Sequence, residues 1–525
     1  MLDLLIKNGK VVDGTGKNKP QDLDVGVKNG EISELGNLKG ARAKKVIDAN
    51  GLLVSPGFID AQNHSDAYWT LFDYPGQESM ISQGITTIAL GNCGASLAPL
   101  PSLESFKSIQ KWHSPEGENI NWTYFEEYLA ELSKLKLGVN ILSLAGHSTI
   151  RRGLLGDVVR KISDNELEVL ERVLISAMKA GAFGLSYGLV YAHEYDSSTD
   201  EVVRLAKIAT KFNRPISIHL RNEAKGILDS ISEVINISGK ARARTKISHL
   251  KIRDAKNWGL FEQVLKSLEL AYRQGVDVRY DVYPYTTSWS ILYTYLPKWV
   301  YQGGKVELNK KLQEPFQKNK IIEALREETQ DFSKIIIATA TSAPHLIGKS
   351  LVQIAGSQGV TVEEALVNVL ESTESEVVVF DENIDKNHLE EFLKHPLGMI
   401  STNGAGFSVR NLFTKNLVHP RCFGAMPRFL SMSLKNKWLT PEKAVYKITG
   451  MPAEYLGLKD RGFLKKGKKA DITVFDPKNI QDLATVDNPY QPSLGIEEVI
   501  LNGEMAFENG VATAEKSGKV LKARS

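Results

Sequence analysis

The sequence predicts an α/β fold: a (β/α)8 barrel of the TIM type, with a small β-sandwich domain built from both chain termini and an insertion before the last barrel strand. Three observations lead there. Eight apolar, strand-like runs alternate with amphipathic helical stretches through the middle of the chain. Both ends are instead β-rich and punctuated by Asn-Gly dipeptides. The interval between the seventh and eighth runs is far longer than the others.

The N-terminal stretches Leu4 to Asp13 and Asp22 to Ile32 alternate apolar and polar runs, and Asn8-Gly9 and Asn29-Gly30 within them read as hairpin turns. The same style returns at Ala470 to Phe475 and Val499 to Leu501, where Asn502-Gly503 follows. Neither end has enough surface to bury alone, so residues 1–55 and 465–525 are expected to join into one small β domain. Residues 56–464 are expected to form the barrel. Its strands start near Gly57, Ile85, Val139, Ala182, Pro215, Thr245, Val276 and Leu397. Continuous apolar strands separated by helices imply a parallel sheet covered on both faces, and eight such units close into a barrel. Residues 286–396 are expected to hold an inserted subdomain. Its aromatics, Trp289, Tyr293, Tyr295, Trp299 and Tyr301, suit either a lid or a small core of its own.

Composition excludes several classes. The 525 residues are 42% hydrophobic and 24% charged, which is globular rather than disordered. No apolar run is long enough to span a bilayer, and the first residues carry early charges in place of a signal-peptide core. With 65 basic against 62 acidic residues, neither nucleic acid nor a membrane is the expected partner. Two cysteines, Cys93 and Cys422, argue against a disulfide framework and for a reducing, cytoplasmic setting. A small-molecule substrate is expected, and an oligomer is compatible with the sequence.

The polar residues that close the strand-like runs carry the chemistry. His64 follows the first run, Cys93 the second and His147 the third. Ser186 and Tyr191 follow the fourth, His219 the fifth, His249 the sixth, Tyr283 the seventh and Asn403 the eighth. In a barrel these ends converge on one face, where active sites are built. Two imidazoles and a thiolate can hold one divalent metal, and three N/S ligands with an open position make a catalytic zinc arrangement. Such a metal lowers the pKa of water to about 7 and polarises a carbonyl. Any one of these residues alone is better explained as a core or rim side chain; Cys93, His219 and His249 together point to a metal.

Several motifs add a resemblance. They are Pro56-Gly57-Phe58-Ile59-Asp60, Gly91-Asn92-Cys93-Gly94, Gly184 to Tyr191, His219-Leu220-Arg221-Asn222-Glu223, Ser248-His249-Leu250-Lys251, His419-Pro420-Arg421 and the closing Lys469 to Asp476. Nearly end to end, the chain resembles the amidohydrolase superfamily and within it the D-aminoacylase (N-acyl-D-amino-acid deacylase) branch. The resemblance implies zinc-dependent hydrolysis of the amide of N-acyl-D-amino acids. It implies that Cys93, His219 and His249 are the tight zinc ligands and that His64 is the second histidine of an H-x-H pair. It also implies that Tyr191, Lys251 and Arg421 hold the substrate carboxylate. A cation beside a guanidinium suits a carboxylate on its own physics. Tyr283 and Ser186 join them as candidate substrate contacts.

Two positions depart from the pattern. The first histidine of H-x-H is Gln62, and the acid of the branch's Ser-Asp-Gly is Asn403 in Thr402-Asn403-Gly404. The expected acid would take a proton from the attacking water and pass it to the leaving amine, which Asn403 cannot do. Both changes fall on the weaker second metal position and the proton shuttle, so one tight zinc is expected, with the second site weak or absent. Three accounts stay open: an inactivated enzyme, a natural non-catalytic metal- and ligand-binding member, or proton transfer by another group such as Asp66, His147 or a water chain. Within the superfamily the alternative activity is that of a cyclic-amide hydrolase of the hydantoinase or dihydroorotase kind.

Overall fold

The computed structural model describes residues 1–110, 112–113, 117–327, 331–409 and 416–524. Eight parallel strands form the barrel: Phe58–Asp60, Ile85–Leu90, Asn140–Ser143 continued by Ala145–Gly146, Leu185–Gly188, Ile216–His219, Thr245–Ile247, Val278–Val282 and Gly398–Ile400. Each pairs with its neighbours in sequence order. The ring closes between the eighth strand and the first, where Asn63 bridges Gly404 in parallel and the His64 amide donates to the Gly404 carbonyl at 2.8 Å. Most of their Ile, Val and Leu side chains are buried against the surrounding helices in one large core, while Ile59 and Leu142 join Met399 and Tyr455 in a smaller one. The short helix Gly450–Leu456 packs beneath the strands, where the Tyr455 hydroxyl donates to the Ile216 carbonyl at the start of the fifth.

Two sheets make the small β domain. One holds Glu31–Gly36, Asp24–Lys28, Leu2–Lys7 and Ala43–Asp48. The other pairs the C-terminal strands Ile496–Leu501 and Ile472–Phe475 with Leu53–Pro56, Lys10–Val11 and Gln21–Asp22 from the N-terminal region. Leu4, Ile6, Val25 and Ile47 of the first pack against Val54, Ile472, Val474 and Ile500 of the second. Asn29-Gly30 and Asn502-Gly503 are tight hairpin turns with positive φ at both residues. The hairpin expected at Asn8-Gly9 does not form. The strands it joins lie in different sheets, and Gly9 is needed because a Cβ there would sit 2.6 Å from Val54 Cγ2.

Between the seventh and eighth strands, Thr287–Ile291, Ile335–Ala340 and Val377–Glu382 form an antiparallel sheet with its own helices and core. Helix Lys386–Lys394 returns to the barrel, with Leu389, Phe392 and Leu393 in the barrel core. Of the five aromatics, Tyr295 and Tyr301 belong to the insertion's core, and Tyr293 and Trp299 pack on it. Among the described residues, no helix is long and apolar enough to cross a membrane.

One buried charge yields a test of the packing. Lys447 is enclosed and donates to the carbonyls of His395 and Gly398, and burial lowers its pKa from 10.5 to about 7. Between these values the unfolded chain binds a proton that the folded chain does not, so stability rises with pH across that window. The wild-type melting temperature, measured against that of Lys447→Met, is expected to climb between about pH 7 and about pH 9.5. Parallel profiles in calorimetry would contradict this.

Candidate active site and metal centre

The second strand delivers Cys93 through the turn Gly91-Asn92-Cys93-Gly94. Cys93 has φ 53°, and Gly91 has φ 72° with space for no side chain: a Cβ would stand 2.1 Å from the Leu144 carbonyl oxygen. Asp66 Oδ2 accepts from the Gly91 amide at 2.8 Å. Ser186 accepts from the Gly94 amide at 3.1 Å and donates to the Gly91 carbonyl. His219 closes the fifth strand. His249 follows the sixth with φ 37°, its amide donating to Asp281 Oδ1 at 2.7 Å.

These residues meet. One donor atom from each of Cys93, His219 and His249 lies within 4.8 Å of the others, and all three residues are buried. Cys93 Sγ is 3.5 Å from His249 Nε2, and the two imidazole rings are 4.3 Å apart. Burial pushes the Cys93 thiol up to about 12. Burial, then the Lys251 charge, holds His249 well below the usual imidazole range. A thiolate in a dry site needs a cation beside it, so this sulfur and two-imidazole donor set fits zinc.

Beside the cluster, His64 Nε2 lies 3.9 Å from Cys93 Sγ and 3.0 Å from Asn403 Oδ1. Burial holds the His64 ring neutral, with a pKa near 3. Asn403 sits at φ 46°, a conformation its short amide side chain tolerates. Asp60 accepts from the Thr402 amide and hydroxyl, which ties the first strand to the loop carrying Asn403. Gln62 donates its amide nitrogen to Cys93 Sγ at 3.1 Å.

Cys93, His219, His249, His64, Asn403, Tyr191, Lys251, Tyr283 and Arg421 line one small cavity of about 50 Å³. Arg421 is buried, with its guanidinium 4.5 Å from the Tyr283 ring centre and 5.5 Å from that of Trp289. Among the described residues, its Nε and Nη1 have no hydrogen-bond partner. Lys251 is not a free cation: its ammonium donates to Glu223 Oε1 at 2.6 Å and approaches His249 Nδ1 at 3.1 Å.

Three expected residues do their work elsewhere. Ser186 is fully buried and outside the cavity lining, because its hydroxyl is committed to the Cys93 turn. His147 is held between Glu194 at 2.7 Å and Glu201 at 2.9 Å. Burial alone would lower its pKa, but the two carboxylates hold it up at about 9. Asp66 supports the Gly91 amide, and burial raises its carboxyl to about 7. Neither His147 nor Asp66 lines the cavity.

Sequence reading missed Glu223, which lies 3.2 Å from His249 Nδ1 and 3.6 Å from His219 Nε2. An acid four residues after a ligand-type histidine was the available signal. It also missed Arg253 and Trp112, both in the lining. Of the insertion's aromatics named above, Trp289 reaches this cavity.

A model of the amidohydrolase family, Amidohydro_3, matches residues 45–287 and 419–507. The chain is 30% identical to an N-acyl-D-glutamate deacylase of Alcaligenes xylosoxydans xylosoxydans, over 99% of this chain and 96% of the relative. The chain belongs to the amidohydrolase family. Its fold superimposes with a TM-score of 0.84 on a crystal structure of N-acyl-D-glutamate deacylase from Bordetella bronchiseptica, at 30% identity, covering 99% of this chain and 100% of that one. That protein is complexed with zinc and a phosphonate mimic of the tetrahedral intermediate. A D-aminoacylase matches at the same TM-score with 27% identity over 99% of this chain and 100% of its own. Its binuclear centre is described as activated by one metal and attenuated by the second. The barrel, the two-ended β domain and the insertion before the last strand are thus as the sequence predicted.

Proposed function

We propose that this amidohydrolase hydrolyses the amide bond of N-acyl-D-amino acids, releasing a D-amino acid and a carboxylic acid, with one tightly bound zinc per chain and a second position weak or absent. The observation that carries the reading is that a buried cluster of one cysteine sulfur and two imidazoles and a buried guanidinium with open donors face one cavity. Deacylase relatives that match nearly the whole chain support the substrate class.

Cys93, His219 and His249 would hold the zinc, which when bound polarises the acyl carbonyl and lowers the pKa of water. Glu223 orients His249 through Nδ1, an outer-shell contact of the kind that fixes the tautomer of a ligating histidine. Arg421 binds the substrate carboxylate in the fork geometry a guanidinium offers, with Tyr283 beside it. Lys251 adds positive charge that is partly offset by Glu223. Trp112, Trp289 and Tyr191 wall the cavity. Asn403 occupies the acid/base position and cannot take the proton, so turnover by this chain is slow. A cytoplasmic location and a small-molecule partner belong to the same reading, in line with two free cysteines.

Asn403 favours one other reading, a metal-loaded barrel that binds N-acyl amino acids without turning them over. Amine release from N-acetyl-D- and N-acetyl-L-amino acids by zinc-loaded protein separates the two. Slow, D-selective release is expected. Binding without release, in both the wild type and Asn403→Asp, would establish the second reading.

Arg421→Met removes a charge-assisted contact with the substrate carboxylate, worth about 1.5–3 kcal/mol. KM is expected to rise about 10- to 100-fold with zinc content unchanged. An unchanged KM would remove Arg421 from the carboxylate site.

A further inference from the structure

The buried lysine beneath the site has no role in the chemistry above. Lys246 and Asp281 are both fully buried. The Lys246 ammonium donates to Asp281 Oδ2, to Gln62 Oε1 and, at 3.2 Å, to the Ala61 carbonyl. The Ser248 hydroxyl donates to the same Gln62 oxygen at 3.2 Å. An ammonium only donates, so it determines which way the Gln62 carboxamide is turned: the oxygen must face Lys246. The NH2 is left on the other side, 3.1 Å from Cys93 Sγ and 3.4 Å from His64 Nε2.

We propose that Lys246 and Gln62 act together as a plug: the lysine pins the carboxamide so that its NH2 fills the space between Cys93 and His64 and closes the chain to a second metal ion. This deepens the single-zinc reading given above and rests on it. A metal shared by Cys93 and His64 would stand about 2.0–2.3 Å from each donor, where the NH2 now projects. An amide NH2 has no lone pair to offer, so Gln62 is a hydrogen-bond donor to sulfur and not a ligand. The nearby ammonium further disfavours a second dication. Lys246 is therefore a positioning residue that acts through Gln62, and the pair fixes metal number.

Metal counting tests this without hydrolysis. Wild type, Gln62→Glu, Gln62→His and Gln62→His/Lys246→Met/Asp281→Asn are equilibrated with excess zinc, desalted and measured by elemental analysis. Thermal unfolding checks that each is folded. Wild type is expected to retain about one zinc. Gln62→Glu keeps the lysine contact but turns the NH2 into a ligand oxygen, and is expected to retain about two. A histidine at 62 must accept from Lys246 with one ring nitrogen, which leaves the other protonated. Gln62→His is therefore expected to stay at about one, and the triple variant to reach about two.

Two zincs in the wild type, or two in Gln62→His with the lysine in place, would overturn the plug. One zinc in both Gln62→Glu and the triple variant would do the same. If the triple variant does not fold, the isosteric Gln62→Glu and the single Gln62→His still decide. No zinc in any protein would overturn the metal centre itself, and the plug with it.

Discussion

Asn403→Asp is expected to raise kcat for N-acetyl-D-amino acids by about 100- to 10,000-fold, the range that a positioned general acid–base group contributes. The exchange is nearly isosteric and the backbone is already suited to it: Asn403 holds φ 46°, which Asp also tolerates. Its side-chain oxygen already lies 3.0 Å from His64 Nε2. The His64 ring is therefore placed to hydrogen-bond the new carboxylate and hold it in position. A carboxylate there can accept the proton of the attacking water and return it to the leaving nitrogen. KM should change little, because Asn403 is not part of the carboxylate clamp. Steady-state kinetics on both proteins at equal zinc content check this. Equal kcat would mean that another group already carries the proton.

Cys93→Ala is expected to empty the zinc site and abolish turnover, with zinc per chain falling from about one to near zero after desalting. Cys93 is the one donor of the cluster that can supply a formal negative charge, and an imidazole ligates a metal only in its neutral form. Two neutral ligands cannot offset the cost of holding a dication in a buried pocket. The fold should survive, since removing one small buried side chain costs about 1 kcal/mol. The melting temperatures of metal-free wild type and Cys93→Ala therefore stay close, while zinc stabilises only the wild type. Full zinc retention by Cys93→Ala would remove the sulfur from the site.

The barrel and the convergence of the site were legible because strand ends in a parallel barrel share one face, so a polar residue closing an apolar run is placed by topology alone. Cys93, His219, His249, His64 and Asn403 come together in this way. The same rule placed Ser186 and His147 at strand ends without saying where their side chains point. One is consumed by the Cys93 turn and the other by two glutamates. The Asn8-Gly9 dipeptide shows a similar limit, since its local preference for a turn is overridden by strands that belong to different sheets.

The sequence by itself determined the order of strands and helices and singled out Cys93, His219 and His249 as candidate metal donors, because periodicity and residue chemistry are local. Gln62 and Asn403 stood out only against the family resemblance. Only the tertiary structure decided how the buried charges are matched: Glu223 with Lys251, and Lys246 with Asp281 and Gln62. Pairings of this kind join residues of different strands, or of a strand and a loop. They depend on barrel register, in which a shift of one residue moves every side chain to the opposite face.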